Sequence, residues 1–321
     1  MAYNRVRSCK FYIDAVLLAR QLGYIEQENS SGLFYLNPTK TLDLEWTEVG
    51  DKFLSIQFTN RYFFNSISHS FILGHNFNSK NIIYGIKGES IPDGDGIFED
   101  EYLYEGVSPP SSNGWHKFEW LDGIITNKDF VRIVVRLSSA TAGTANIGDI
   151  SVGWSYEMPH SPDMELTQTF GNESLKTQTT KGGVTLSNTG WNQPPMWGTR
   201  PAWRQGTDFV GYPTRRSWSL KFSYLNDTDL MPQHYNEIMT PNANNRGIFE
   251  RTNVNNPDFN IKQDFLSKVY AGTNGFQLPF IFQPDSTVEE YAIARVNANS
   301  FTINQVANNV YDISMSVTEC W

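Results

Sequence analysis

The sequence predicts a mainly β protein. It reads as a short N-terminal helix, an antiparallel β-sandwich, and a second β-rich sandwich or barrel domain with one short helix. Three observations carry this reading. Apolar residues recur with period two in runs of four to eight, separated by Gly, Pro, Asn and Asp clusters. Aromatic residues make up 14 % of the 321 residues and charged residues only 18 %, with 29 Asn and 24 Gly. A stiff Met-Pro-His-Ser-Pro-Asp segment at 158–163 divides the strand-rich chain near its middle.

The helix is expected first, because Phe11, Ala15, Leu18 and Leu22 share a helical face and Gly23 supplies a stop. The apolar run 15–19 is short and Asp14 precedes it, so this segment does not read as a secretory signal. Strands are then predicted at 42–46, 53–58, 70–73, 82–86, 115–120, 130–137 and 150–156. In the second half they are predicted at 166–170, 183–186, 217–225, 278–282, 291–296, 300–305 and 310–318. A second helix fits 261–271, with Gly272 and Gly275 behind it. The expected organisation is a helical segment at 1–32, a sandwich at 33–157, a linker at 158–164 and a β domain at 165–321.

The same arithmetic excludes several classes. Nine Trp, fifteen Tyr and twenty-one Phe rule out a disordered chain. No window approaches about 18 uninterrupted apolar residues, so a spanning helix and direct membrane insertion are not expected. A net charge of −9 and a pI near 5.1 argue against nucleic-acid binding. Residues 1–160 hold 13 basic and 19 acidic residues and the remainder 12 and 15, so neither half is a basic module. Cys9 and Cys320 stand at opposite ends, without metal-ligand spacing, and are expected as free thiols.

Catalytic signatures are absent from the sequence. The five His (69, 75, 116, 160 and 234) form no metal-binding pair, and His69 and His75 read as satisfied structural residues flanking a buried strand. Asp93 and Asp95 alternate with Gly and precede Glu99. That pattern suits a hard cation such as Ca²⁺, but it lacks EF-hand spacing and reads better as a solvated acidic loop. Glu99, Glu101, Glu105 and Glu119 would serve a glycan-cleaving enzyme only if two faced one cleft about 5–9.5 Å apart. Trp115 and Trp120 would form the sugar platform of a carbohydrate- or receptor-binding module if exposed, although core packing is commoner for such residues. Trp197, Arg200, Trp203, Arg204, Arg215 and Arg216 interleave the residue types enriched at protein interfaces, so this long stretch reads as a partner contact.

Two segments carry a resemblance. Asn60-Arg61-Tyr62-Phe63-Phe64-Asn65-Ser66, leading to Ser70-Phe71-Ile72-Leu73-Gly74-His75-Asn76-Phe77-Asn78-Ser79, resembles an element of galactose-binding-like, jelly-roll sandwich domains in tailed-phage structural proteins. The C-terminal series Leu278-Pro279-Phe280-Ile281-Phe282-Gln283-Pro284, Tyr291-Ala292-Ile293-Ala294-Arg295-Val296 and Tyr311-Asp312-Ile313-Ser314-Met315-Ser316-Val317-Thr318-Glu319 resembles the closing strands of phage tail and baseplate proteins. Ser217-Trp218-Ser219-Leu220-Lys221-Phe222 is similar to the strand that comes before them. The resemblance implies a non-enzymatic virion protein of the tail or baseplate, without a cofactor and assembled in the host cytoplasm. It further implies a homo-oligomeric three- or sixfold ring that touches other tail proteins, with a host-surface glycan as a further candidate partner.

Overall fold

The computed structural model describes residues 7–29, 32–36, 42–59, 67–77, 82–90, 99–107, 114–119, 130–139, 142–163, 167–171, 175–189, 196–197, 200–201, 215–231 and 264–320. Phe11, Tyr12 and Ile13 are consecutive and all buried, as in a strand covered on both faces. They form β1 (Lys10–Asp14), which runs directly into α1 (Ala15–Gln21). The predicted helix is therefore shorter, because Phe11 pairs in a sheet before the helix begins. Asp14 caps α1 by accepting the Leu17 N–H at 2.9 Å, and Gly23 ends it at φ +73°.

Ten strands follow in the first half: β2 (Ile25–Asn29), β3 (Leu42–Trp46), β4 (Gly50–Phe58), β5 (His69–His75), β6 (Ile82–Ser90), β7 (Glu99–Val107), β8 (Gly114–Glu119), β9 (Phe130–Ser139), β10 (Gly143–Ile147) and β11 (Asp149–Glu157). The second half supplies β12 (Thr167–Gly171), β13 (Leu175–Thr179), β14 (Thr185–Thr189), β15 (Met196–Trp197), β16 (Arg200–Pro201) and β17 (Arg215–Asn226). A short α2 (Asp227–Leu230) and a π-helical turn (Leu266–Ala271) come next. Then follow β18 (Phe280–Gln283), β19 (Ala292–Val296), β20 (Thr302–Ala307) and β21 (Val310–Glu319). The fold is mainly β, as predicted. The second helix is confined to the π-helical turn and the residues just before it; 261–263 lie outside the described residues.

A ten-stranded antiparallel sheet has the order β12–β17–β21–β19–β18–β1–β11–β5–β8, with β20 added to β21. Its centre is β1, paired with β11 on one side and β18 on the other. The sheet thus continues past the Pro-rich segment, using strands from both sides of it. A five-stranded sheet, β2–β4–β9–β6–β7, packs against the β5–β8–β11 end. Tyr84 stacks on Phe118 at 4.8 Å, and its hydroxyl meets Ser70 Oγ at 2.7 Å. This is the expected sandwich. At the other end Phe265, Val269 and Phe276 cover the same face, and Phe11 meets Phe265 edge-on at 5.8 Å.

Two glycines stand where the backbone leaves no room for a side chain. A Cβ on Gly153 would lie 1.9 Å from the Ile13 carbonyl oxygen, and one on Gly272 would lie 2.2 Å from that of Lys268. Both obstacles are backbone, so no rotamer change relieves them. Gly153→Ala is expected to destabilise the protein by about 3 kcal/mol or more, or to prevent soluble folding. Urea unfolding followed by circular dichroism tests this. A midpoint within error of wild type would show that β1 and β11 are not in this close register.

Candidate functional site

The two faces of the large sheet differ in chemistry. One carries Phe11, Ile13, Ile72, Val152, Trp154, Trp218, Phe222 and Phe282 into the main core. The other carries a second, aromatic cluster built from Tyr12, Phe71, Trp115 and Tyr291, with Leu73, Ile281 and Ile293 around it. Strand alternation sets this up: Tyr12 on β1, His69 and Phe71 on β5, and Trp115, Lys117 and Glu119 on β8 all emerge on one face. Ring edges meet ring faces throughout. Tyr12 lies 5.0 Å from both His69 and Phe71, and Trp115 lies 4.8 Å from Tyr291.

Charge closes the edge of this cluster. Lys10 and Lys117 both bind the Glu119 carboxylate, Lys117 at 3.0 Å. Against the cost of burial, these two lysines hold the Glu119 carboxyl below its ordinary value. Lys117 also reaches the Tyr12 hydroxyl at 3.3 Å, and that hydroxyl donates to Gln283 Oε1 at 2.9 Å. Burial, then the nearby carboxylates, push the Tyr12 and Tyr291 hydroxyls upward, so both are neutral donors at ordinary pH.

His69 and His75 are buried and structural, but they are not both satisfied. Among the described residues neither ring nitrogen of His69 has a hydrogen-bond partner, while His75 Nδ1 accepts the Phe77 N–H at 3.4 Å. Burial pushes both imidazoles down to about 3; at His69 the Glu119 carboxylate opposes this, and Lys10 and Lys117 add to it. Burial likewise lowers His116.

Several predicted site residues take definite positions. Trp115 is 3 % exposed within the aromatic cluster, so it offers no sugar platform. Arg216 is 4 % exposed and engaged inside the chain rather than at the surface. Its guanidinium grips Glu319 through Nε at 3.1 Å and Nη2 at 3.0 Å. It also binds Glu290 at 2.6 Å and the Tyr291 carbonyl at 2.9 Å, and its backbone N–H donates to Glu319 at 3.0 Å. Alternation buries this guanidinium: Arg216 shares the inward face of β17 with Trp218, which lies 5.2 Å from it. Arg215, on the other face, is half-buried.

Trp197 and Arg200 are paired across the short β15–β16 ladder, which lies against β5. Glu99 opens β7 opposite Ser90. Trp120, Trp203, Arg204, Asp93 and Asp95 lie outside the described residues. Glu119 belongs to the large sheet, whereas Glu99, Glu101 and Glu105 lie on β7 of the five-stranded sheet. Among the described residues no group of three or more His, Cys, Asp or Glu could hold a metal ion, and no helix is long and apolar enough to cross a membrane. Cys9 and Cys320 are free thiols, and burial pushes Cys320 up to about 11.

Tyr224, inside the predicted strand 217–225 but not among the expected site residues, is 78 % exposed at φ +63° on β17. A signal does exist: buried Trp218, Leu220 and Phe222 keep period two, and buried Leu225 breaks the phase. No protein-family model matches the chain, and no curated protein matches it.

Two outcomes are expected from this geometry. Arg216→Ala strands the buried Glu319 carboxylate and destabilises the protein by about 3–5 kcal/mol, while Glu290→Gln, at a half-exposed carboxylate, costs under about 1 kcal/mol. Urea midpoints of the two variants measure the contrast, and equal losses would contradict it. The second outcome concerns acid. Unfolded His69 and His75 take protons near 6.5 and the folded ones near 3, so stability falls as pH drops through that window. Asp14, raised by burial to about 6, acts in the opposite sense, losing stability as pH rises from 3.8 through 6. Across this range the two histidines, joined by the lowered His116 and Glu119, outweigh Asp14, so the net effect of acid is a loss of stability. Urea midpoints should fall across that range, and His69→Phe should flatten the fall.

Proposed function

We propose that the chain is a non-enzymatic virion structural protein of a phage tail or baseplate, assembled as a three- or sixfold ring that bridges neighbouring tail proteins. One observation carries the assembly part of this reading. The β13–β14 hairpin forms a two-stranded sheet of its own, and residues 178–186 are all exposed. Val184, just before β14, and Leu186, within it, are 59 % and 57 % exposed. A lone two-stranded hairpin is marginal in water and gains stability by packing against something.

The charge on this arm favours a second copy of the chain as what it packs against. The hairpin carries Lys176 and Lys181 and no acidic residue, whereas the whole chain has a net charge of −9. A neighbouring copy of the chain carries a net charge of the opposite sign, which favours its approach to the arm. Strand β20 adds a second opening for contact: it pairs with β21 alone among the described strands, and most of its residues are exposed. The resemblance of the C-terminal strands to tail and baseplate proteins supplies the virion context.

Mass photometry and negative-stain microscopy test the reading. The expected particle is a ring whose mass is three or six times 36.6 kDa, and a monomer at every concentration would overturn it. The double variant Val184→Ser, Leu186→Ser removes the arm's exposed apolar side chains and should weaken assembly about tenfold or more, with the melting temperature unchanged. Assembly at wild-type strength would take the arm out of the interface.

A further inference from the structure

An open sheet edge is a template for pairing with another chain, and charged side chains are a common guard against it. Strand β7 ends the five-stranded sheet with Glu99, Asp100, Glu101 and Glu105, and β2 ends it on the other side with Glu26 and Glu28. Strand β8 ends the large sheet with Lys117 and Glu119. Strands β14 and β20 differ, because neither contains a charged residue or a proline. Among the described residues, the backbone of β14 is bonded only to β13 and that of β20 only to β21. The pairing of β14 is regular through all of its residues, and that of β20 is regular from Thr302 to Gln305 before a bulge. Each therefore offers one straight, unguarded edge. Strand β12, at the far end of the large sheet, is uncharged as well, but it leads into the arm through residues 172–174 and so lies on the arm's own side.

Symmetry and charge bring these two edges together. In a cyclic ring of three or six, a patch on one copy meets a different patch on the next, whereas arm against arm closes a dimer. The arm contributes Lys176 and Lys181 and no acidic residue. Around β20 the balance is reversed: β20, β21 and α2 hold Asp227, Asp229, Asp312 and Glu319 and no basic residue. Arg216 occupies Glu319, and the other three lie around the edge. The Asp227 N–H donates to the Asn309 carbonyl in the β20–β21 turn at 3.1 Å, and Asp312 is the cross-strand partner of Asn304.

We propose that β14 of one copy adds to the open edge of β20 in the next, so that the large sheet continues across the subunit boundary. This rests on the ring assembly proposed above and names its two faces. Backbone hydrogen bonds supply the ladder, with Leu186 and the half-exposed Val306 as the apolar side chains at the seam. The arm's two lysines face Asp227, Asp229 and Asp312. Strand β14 rather than β13 makes the contact, since Lys176 guards β13.

Cross-linking of the full chain tests this, with a short bismaleimide and a Cys320→Ser background. Leu186→Cys co-expressed with Asn304→Cys should give a cross-linked pair, while either variant alone gives none. The double variant should give a ladder that ends at three or six copies. Asn304→Lys puts a charge on the bare edge opposite the arm's lysines and should weaken assembly about tenfold or more, whereas Asn304→Gln leaves it unchanged, and both should melt with the wild type. A ring that forms without the mixed cross-link, or that tolerates Asn304→Lys, overturns the pairing and leaves the ring itself standing. A monomer at every concentration overturns both. Cross-linking of Leu186→Cys to itself makes the arm a contact with another arm and also overturns the pairing.

Discussion

The double pairing of strand β1 is the constraint on which the rest of the structure depends. Lys10 to Asp14 are hydrogen-bonded to β11 along one edge, and Lys10 to Tyr12 to β18 along the other. Without this strand, the sheet made from the first half and the sheet made from the second would each present an open central edge. With it, Phe11 and Ile13 join the main core while Tyr12 enters the aromatic cluster on the opposite face. One five-residue strand therefore contributes to both cores. The bare backbone of Gly153 lets it sit close enough to do so. The second half closes in a similar way at its end, where Arg216 binds Glu319 and Glu290, residues 103 and 74 positions away in sequence.

What could be read from the sequence follows from how each strand is buried. Strands with one wet face, such as 42–46 and 53–58, advertise themselves by alternation. The run at 130–137 is continuous, as expected of a central strand, and β9 indeed lies between β4 and β6. Strand β1 was hidden because a short strand buried on both faces has no period. Phe11 and Ala15 then fall by coincidence at helical spacing, although one belongs to a strand and the other to a helix. Strand β7 was hidden by its Glu-Asp-Glu start, which reads as a solvated loop when the partner strand is unknown. No local pattern could place β1 between strands about 145 and 270 residues away.

The site residues were harder to read for a related reason. Arg and Trp are enriched both at interfaces and in buried ion-pair clusters, so composition alone cannot separate the two. Alternation could have separated them. Trp218, Leu220 and Phe222 define the buried face of β17, and Arg216 falls in phase with them. The same count shows that the phase slips before Leu225, and a slip inside a strand requires a bulge. Tyr224 was thus marked in the sequence as an irregularity, while its exposure and its contact with Asp312 needed the partner strand.

These features divide the molecule by where its interaction energy is already used. On the aromatic side of the large sheet, Tyr12, Phe71, Trp115 and Tyr291 engage one another, and Lys10 and Lys117 share the Glu119 carboxylate. Arg216 has spent its donors inside the chain. Groups satisfied in this way gain little from a partner, because any new contact must first break an old one. The β13–β14 arm and the β17–β20–β21 edge are the reverse case. There, the apolar side chains of Val184 and Leu186, the Tyr224 ring and most side chains of β20 remain in water. Binding at such places adds contacts without removing any, so a partner would gain more on these two surfaces than on the residue types that enrichment alone would select.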